Sequence, residues 1–97
     1  YYQHFVDCHA CDERFIVMAK ALGKADASCA QDFVDALVKL QKDCGVDDLK
    51  MSDFGIQKSE LETLAKNARE TMGGLFGADP KEVSHEDCVA IFEKAYR

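Results

Sequence analysis

The sequence predicts an all-α fold of about four amphipathic helices, and three observations carry that reading. Apolar residues recur at spacings of three and four in four separate segments. Glycines gather between those segments and only one proline, Pro80, occurs in the chain. No run alternates apolar and polar residues for long enough to make a strand. At 97 residues the chain is one small domain or a piece of a larger one.

The first helix is expected from about Asp12 to Leu22, where Phe15, Met18, Ala19 and Leu22 share one face. Gly23 follows as its left-handed stop. The second opens at Ser28, with Gln31 three residues on as the partner in a capping box. Its apolar face is Ala30, Phe33, Leu37, Leu40 and Cys44, and Gly45 ends it. From Val46 to Lys58 the pattern breaks down. This stretch reads as a connecting loop with one short turn, whose Leu49, Met51, Phe54 and Ile56 plug the core from the side. A third helix starts at Ser59, boxed with Glu62; Leu61, Leu64, Ala65, Ala68 and Met72 form its face, and Gly73-Gly74 stops it. After the loop from Leu75 to Val83, Ser84 caps a fourth helix with Asp87 in the third-position role. Cys88, Ile91, Phe92 and Ala95 point inward there, while Glu86, Glu93 and Lys94 face water. There is no internal repeat and no low-complexity stretch.

Composition excludes several functions. The chain is 47% hydrophobic and 31% charged, the balance of a soluble globular chain rather than a disordered one. Twelve Lys and Arg against eighteen Asp and Glu leave a net charge of -6, the wrong sign for a protein that grips nucleic acid. No apolar run approaches the roughly 20 residues of a membrane span. The opening Tyr1-Tyr2-Gln3-His4 has neither an initiating Met nor a signal-like segment, so a cut start and a fragment of a larger protein are expected. The five cysteines, Cys8, Cys11, Cys29, Cys44 and Cys88, are odd in number and three lie within helical patterns. That favours free thiols in a reducing, cytoplasmic compartment over a disulfide framework.

No complete active site can be assembled from the residues alone. Cys8-His9-Ala10-Cys11 has the spacing of zinc sites and dithiol centres. A structural zinc needs four ligands, so His4 and a distant Cys would have to be recruited, and a thioredoxin-like role needs a βαβ context. The bland reading is two thiols at the frayed start of a helix. Gly73-Gly74-Leu75-Phe76-Gly77 follows a helix rather than a strand and lacks the Gly-Lys-Ser/Thr of a phosphate loop. Asp47, Asp48 and Asp53 miss the offsets of a calcium loop. His85 beside the Ser84 cap, like His4 and His9, has no evident catalytic partner.

The order of segments in the second half nonetheless resembles a known family. Met51-Ser52-Asp53-Phe54-Gly55-Ile56 is followed by a helix from Ser59 to Ala68, an Asp79-Pro80-Lys81 turn, and a last helix from Ser84 to Tyr96 containing Glu86-Asp87 and Ile91-Phe92. This is similar to the carboxyl-terminal end of the iron-dependent (group III) alcohol dehydrogenases, and Phe15 to Gly23 resembles the family helix that ends in Ala-x-x-Met/Leu-Gly. The likeness covers about Phe15 to Tyr96. It implies the C-terminal helical domain of a dehydroquinate-synthase-like fold, whose Rossmann-like partner domain binds NAD or NADP.

The family's metal, Fe²⁺ or Zn²⁺, is held by one Asp and three His that lie before the matched region. The resemblance therefore assigns no catalytic, cofactor or metal residue here, and His4, His9 and His85 match none of the ligands. It implies that Met72, Gly73 and Gly74 line the substrate pocket, although Leu75 to Ala78 make a longer loop than the family has. The implied reaction is oxidation of a primary alcohol or reduction of an aldehyde, with these helices walling the cleft and the 97 residues inactive alone. The implied partners are the rest of the parent chain and a small alcohol or aldehyde, with self-association through uncovered apolar faces. No nucleic acid and no membrane enter. The alternative is an autonomous helical interaction module, and behind it a zinc-binding module using Cys8, Cys11 and His4.

Overall fold

Helix ends leave amides and carbonyls unpaired, and in this chain backbone reversals and a side-chain cap at Ser84 satisfy several of them. The computed structural model describes residues 1–97. It contains α1 (Tyr2–Asp7), α2 (Asp12–Ala21), α3 (Gln31–Asp43), α4 (Leu61–Phe76) and α5 (His85–Ala95), with 3-10 turns at Met51–Phe54 and Lys58–Glu60 and no strand. The all-α expectation holds, and the four expected helices are α2 to α5. The short α1 is additional: its six residues are too few to display an apolar repeat. No helix is long and apolar enough to cross a membrane. The chain divides into two compact units, Tyr1–Asp48 and Leu49–Arg97.

In the first unit α2 and α1 both pack on α3. The core is aromatic. Phe5, Phe15 and Phe33 are each at most 3% exposed, which contributes roughly 1.5–3 kcal/mol apiece. Phe15 stacks on Phe33 with centroids 5.2 Å apart, and Tyr2 presents its edge to both. Ala19, Ala27 and Ala30 are also buried. A reciprocal amide pair joins α1 to α3: Gln3 Nε2 donates to Gln31 Oε1 at 2.8 Å, and Gln31 Nε2 to Gln3 Oε1 at 3.1 Å.

Three helices of this unit end in the same hydrogen-bonded reversal. Gly23 (φ 96) closes α2, with its N–H on Lys20 O at 3.0 Å and that of Lys24 on Ala19 O at 3.1 Å. Gly45 (φ 67) closes α3 in the same way, through Lys42 O and Gln41 O. Both stops agree with the sequence. The third, at the end of α1, uses His9 with φ 53, a left-handed conformation that a non-glycine residue adopts at a cost.

The start of α3 differs from expectation. Its acceptor is Asp32, not the Ser28/Gln31 pair: Asp32 Oδ2 receives the N–H groups of Ser28 at 2.8 Å and Cys29 at 3.0 Å. Lys24 Nζ reaches Oδ1 at 2.7 Å. The Gln31 amide is occupied by Gln3 and Asp35, so it does not fold back on the cap. The expected apolar face of α3 is buried only at its N-terminal end. Ala30 and Phe33 are covered and Leu37 is half-buried, but Leu40 is 47% exposed and Cys44 is exposed.

The second unit is built on the pair α4 and α5. Its buried residues are small or aliphatic: Leu61, Ala65, Val83 and Cys88. α5 starts as expected: Ser84 Oγ accepts the Asp87 N–H and Asp87 Oδ2 accepts the Ser84 N–H, both at 3.1 Å. At the other helix the box lies two residues earlier than expected, on Glu60 rather than Glu62, because the 3-10 turn Lys58–Glu60 leads into α4. Glu60 Oε2 there accepts the Gln57 N–H at 2.7 Å. The segment after α5 is tied back within the unit. Tyr96 Oη donates to Ile56 O at 3.3 Å, Ser52 N–H and Oγ both donate to Arg97 O, and Arg97 Nη2 donates to Leu49 O at 3.0 Å.

Two further expectations are corrected here. The Val46–Lys58 stretch contains the one short turn expected, Met51–Phe54, but of its apolar residues only Met51 and Ile56 are half-buried, while Leu49 and Phe54 are 53% and 71% exposed. These two do not plug a core. Gly73-Gly74 does not stop α4 either. The helix breaks at Met72 (φ -120, ψ 18) and resumes through both glycines to Phe76. Neither glycine has the positive φ of a terminal stop, so the backbone there is one that glycine tolerates and does not require.

Candidate functional site

The residues expected to line a pocket lie at the broken end of α4. Met72 is the residue at the break and is 53% exposed. Gly73 and Gly74 are exposed, and a Cβ added at either meets no atom within 4 Å. Two helical glycines with open space beside them weaken the helix by roughly 0.5–1 kcal/mol each relative to alanine, and no contact inside the chain accounts for them. The three residues do not share one concave surface. Gly73 borders a shallow hollow of about 370 Å³ whose other walls include Arg69, Phe76, Asp79 and Val83, while Met72 and Gly74 lie outside it.

The hollow is organised by Arg69. Its guanidinium donates to the Val83 carbonyl and lies over the Phe76 ring, 5.3 Å from the centroid. The cation thus joins α4 to the segment before α5 and holds the last turn of α4 against its own helix. Sequence reasoning missed both Arg69 and the buried Val83. Arg69 sits beside the apolar stripe of α4, and the signal available was its i, i+7 relation to Phe76.

Of the two thiols expected at a helix start, Cys11 does open α2, whereas Cys8 closes α1; both are half-buried. The His9 and Ala10 N–H groups bond back to Val6 O and Phe5 O, each at 3.1 Å, and His9 Nδ1 lies 2.7 Å from Asp12 Oδ2. A surface hollow of about 590 Å³ borders the segment from His9 to Arg14. Burial, with the charges of Asp12 and Cys8 adding to it, pushes the Cys11 thiol above the usual range. His4 stands on α1, its ring edge against Phe5 at 5.4 Å and its buried Nε2 without a hydrogen-bond partner.

The chain assembles no group of three His, Cys, Asp or Glu side chains able to hold a metal ion. The donors present therefore do not fit a resident metal, whether Cys8, Cys11 and His4 or the His85 region are considered. His85 lies at the first position of α5, half-exposed. A third hollow, of about 490 Å³ between Leu22 and Asp43, has both of its lysines paired: Lys39 with Asp43 at 2.5 Å, and Lys24 with Asp32 and, at 4.0 Å, Asp35. Cys88 is buried on α5 with its Sγ 4.0 Å from Ala65 O, and burial raises its thiol, as expected of a packing residue.

Comparison with known proteins adds the assignment that no side-chain constellation supplies. The model of the Fe-containing alcohol dehydrogenase family, C-terminal, matches residues 2–96. No curated protein and no solved structure matches the chain.

Proposed function

Since the chain belongs to the Fe-containing alcohol dehydrogenase family, over that family's C-terminal part, we propose that it supplies helical scaffold to an NAD(P)-dependent oxidoreductase of primary alcohols and aldehydes. The observation that supports this reading is the match across residues 2–96, nearly the whole chain. In this reading the metal and the nicotinamide are held by residues outside these 97, because the donors here form no metal-binding group. The contribution of these helices is then alignment and exclusion of water, and the chemistry belongs to the cofactors.

Within that reading Met72, Gly73 and Gly74 form part of the substrate wall. Met72 is apolar and exposed, and the two glycines leave a gap that no atom of the chain fills. In the parent enzyme, Gly73→Val is expected to raise KM for a short aldehyde about tenfold, an effect of roughly 1.4 kcal/mol, with KM for the nicotinamide unchanged. Equal effects on both would remove these residues from the substrate wall.

The reading as a whole has a direct test. The 97-residue chain, given NAD(P)H, Fe²⁺ or Zn²⁺ and a short aldehyde, is expected to show no turnover, whereas the parent reading frame is expected to show it. Turnover by the isolated chain comparable to that of an intact dehydrogenase defeats the scaffold role.

A further inference from the structure

The dehydrogenase reading leaves one feature unused, the pair of thiols at the corner between α1 and α2. We propose that Cys8 and Cys11 form a reversible intrachain disulfide, making this corner a thiol–disulfide modification site for small-molecule disulfides of the glutathione class.

The argument starts from the backbone. Cys8 closes α1 with φ -100 and ψ 7, and His9 follows in the left-handed region at φ 53. The chain then bends sharply at both Ala10 and Cys11 before α2 begins. A disulfide needs Cα atoms within roughly 4.4–6.8 Å; Cys8 and Cys11 flank a two-residue corner between helices and lie near enough for the Cys8 charge to act on the Cys11 thiol. The corner is also well fixed. His9 and Ala10 are bonded back to α1, Asp12 holds the His9 ring, and Cys11 O accepts the Phe15 N–H at 3.1 Å to begin α2. Little freedom remains to be lost on closing the bridge.

The surroundings supply access. The hollow beside His9 to Arg14 is lined by Cys11, so a small disulfide can reach the corner. In the reduced chain the Cys8 thiol rests on the Phe5 carbonyl at 3.7 Å. Exchange begins at the thiol that lines the hollow, Cys11. Its thiolate attacks one sulfur of oxidised glutathione, forming a mixed disulfide and releasing one glutathione thiolate. Cys8, giving up its proton, then attacks the Cys11 sulfur and displaces the second glutathione. Two protein thiols are oxidised, one glutathione disulfide is reduced to two thiols, and the new Cys8–Cys11 bond ties the end of α1 to the start of α2. The other three cysteines behave differently: Cys29 and Cys44 are exposed on separate segments and Cys88 is buried among apolar residues.

The test uses the unaltered chain. It is incubated with oxidised glutathione, quenched by alkylation and digested with trypsin. The peptide ending at Arg14 contains Cys8 and Cys11 and no other cysteine. The expected product is that peptide lighter by two hydrogens and free of alkylating label, with dithiothreitol restoring two labelled thiols. In Cys8→Ser the same peptide is expected to carry one glutathione on Cys11. Either two separate glutathione adducts or two fully alkylated thiols in the unaltered chain overturns the proposal, whatever the dehydrogenase assay shows.

Discussion

In Tyr1–Asp48 three phenylalanine rings are buried with tyrosines edge-on to them, and every aromatic ring pair so far described lies in that unit. In Leu49–Arg97 the buried residues are Leu61, Ala65, Val83 and Cys88, and hydrogen bonds to main-chain carbonyls from Arg69, Tyr96, Ser52 and Arg97 join its segments. One unit thus relies on large ring contacts between three helices, the other on a close helix pair fastened by side chains that reach the backbone. Large side chains concentrate burial energy at few positions, whereas a small-residue interface spreads it and leaves side chains of the same helices exposed.

The largest expected effects test that contrast. Phe33→Ala removes the ring shared by Phe15 and Tyr2 and is expected to cost about 3–5 kcal/mol. Leu61→Ala, at the head of α4, is expected to cost about 2–5 kcal/mol, toward the lower part of that range, because it loses no ring partner. Urea denaturation of the two variants measures the difference. A Leu61→Ala loss exceeding that of Phe33→Ala breaks the comparison.

Polar fixing of the first unit is centred on Asp32. The Lys24 ammonium beside it, followed by the Ser28 and Cys29 amides, holds its carboxyl far below the usual aspartate range. A depressed folded pKa stabilises the fold above the ordinary aspartate value of about 4 and is lost as pH falls further toward the folded value. Asp32→Asn is therefore expected to lower Tm at neutral pH, with the gap to the unaltered chain narrowing below about pH 4. A constant gap from pH 7 to pH 2 removes the charge from this account.

Smaller effects distinguish the two helices of the second unit. Ser84→Ala, which removes the α5 cap, is expected to cost about 1 kcal/mol by denaturant titration. Gly73→Ala in the isolated chain is expected to add roughly 0.5–1 kcal/mol, since its Cβ meets nothing and the backbone is not left-handed. A destabilised Gly73→Ala chain shows instead that glycine is needed at the α4 break.

Several features were legible because they depend on a few adjacent residues. Gly23 and Gly45 end helices for lack of a Cβ, and the Ser84/Asp87 box closes within four residues. The family likeness, quoted from Phe15 onward, extends further toward the N-terminus than those residues showed, to residue 2. The site was less legible. Met72, Gly73 and Gly74 are adjacent in sequence and lie where α4 breaks and resumes, a break that no spacing announced, and of the three only Gly73 borders a hollow within the chain.

By itself the sequence determined that the chain is helical, where its apolar stripes lie and which family it belongs to, since spacing and short motifs are local properties. Tertiary structure decided which of several nearby acceptors caps a helix. Asp32 displaced Gln31 because a glutamine on α1 engages the Gln31 amide, and Arg69 became a fastener because Val83 and Phe76 came within its reach. It also decided how far each apolar stripe is covered, leaving Leu40 open on the helix that buries Phe33. The physical reason is the same in each case: a periodic face states a preference for burial, and only a partner in space removes the water.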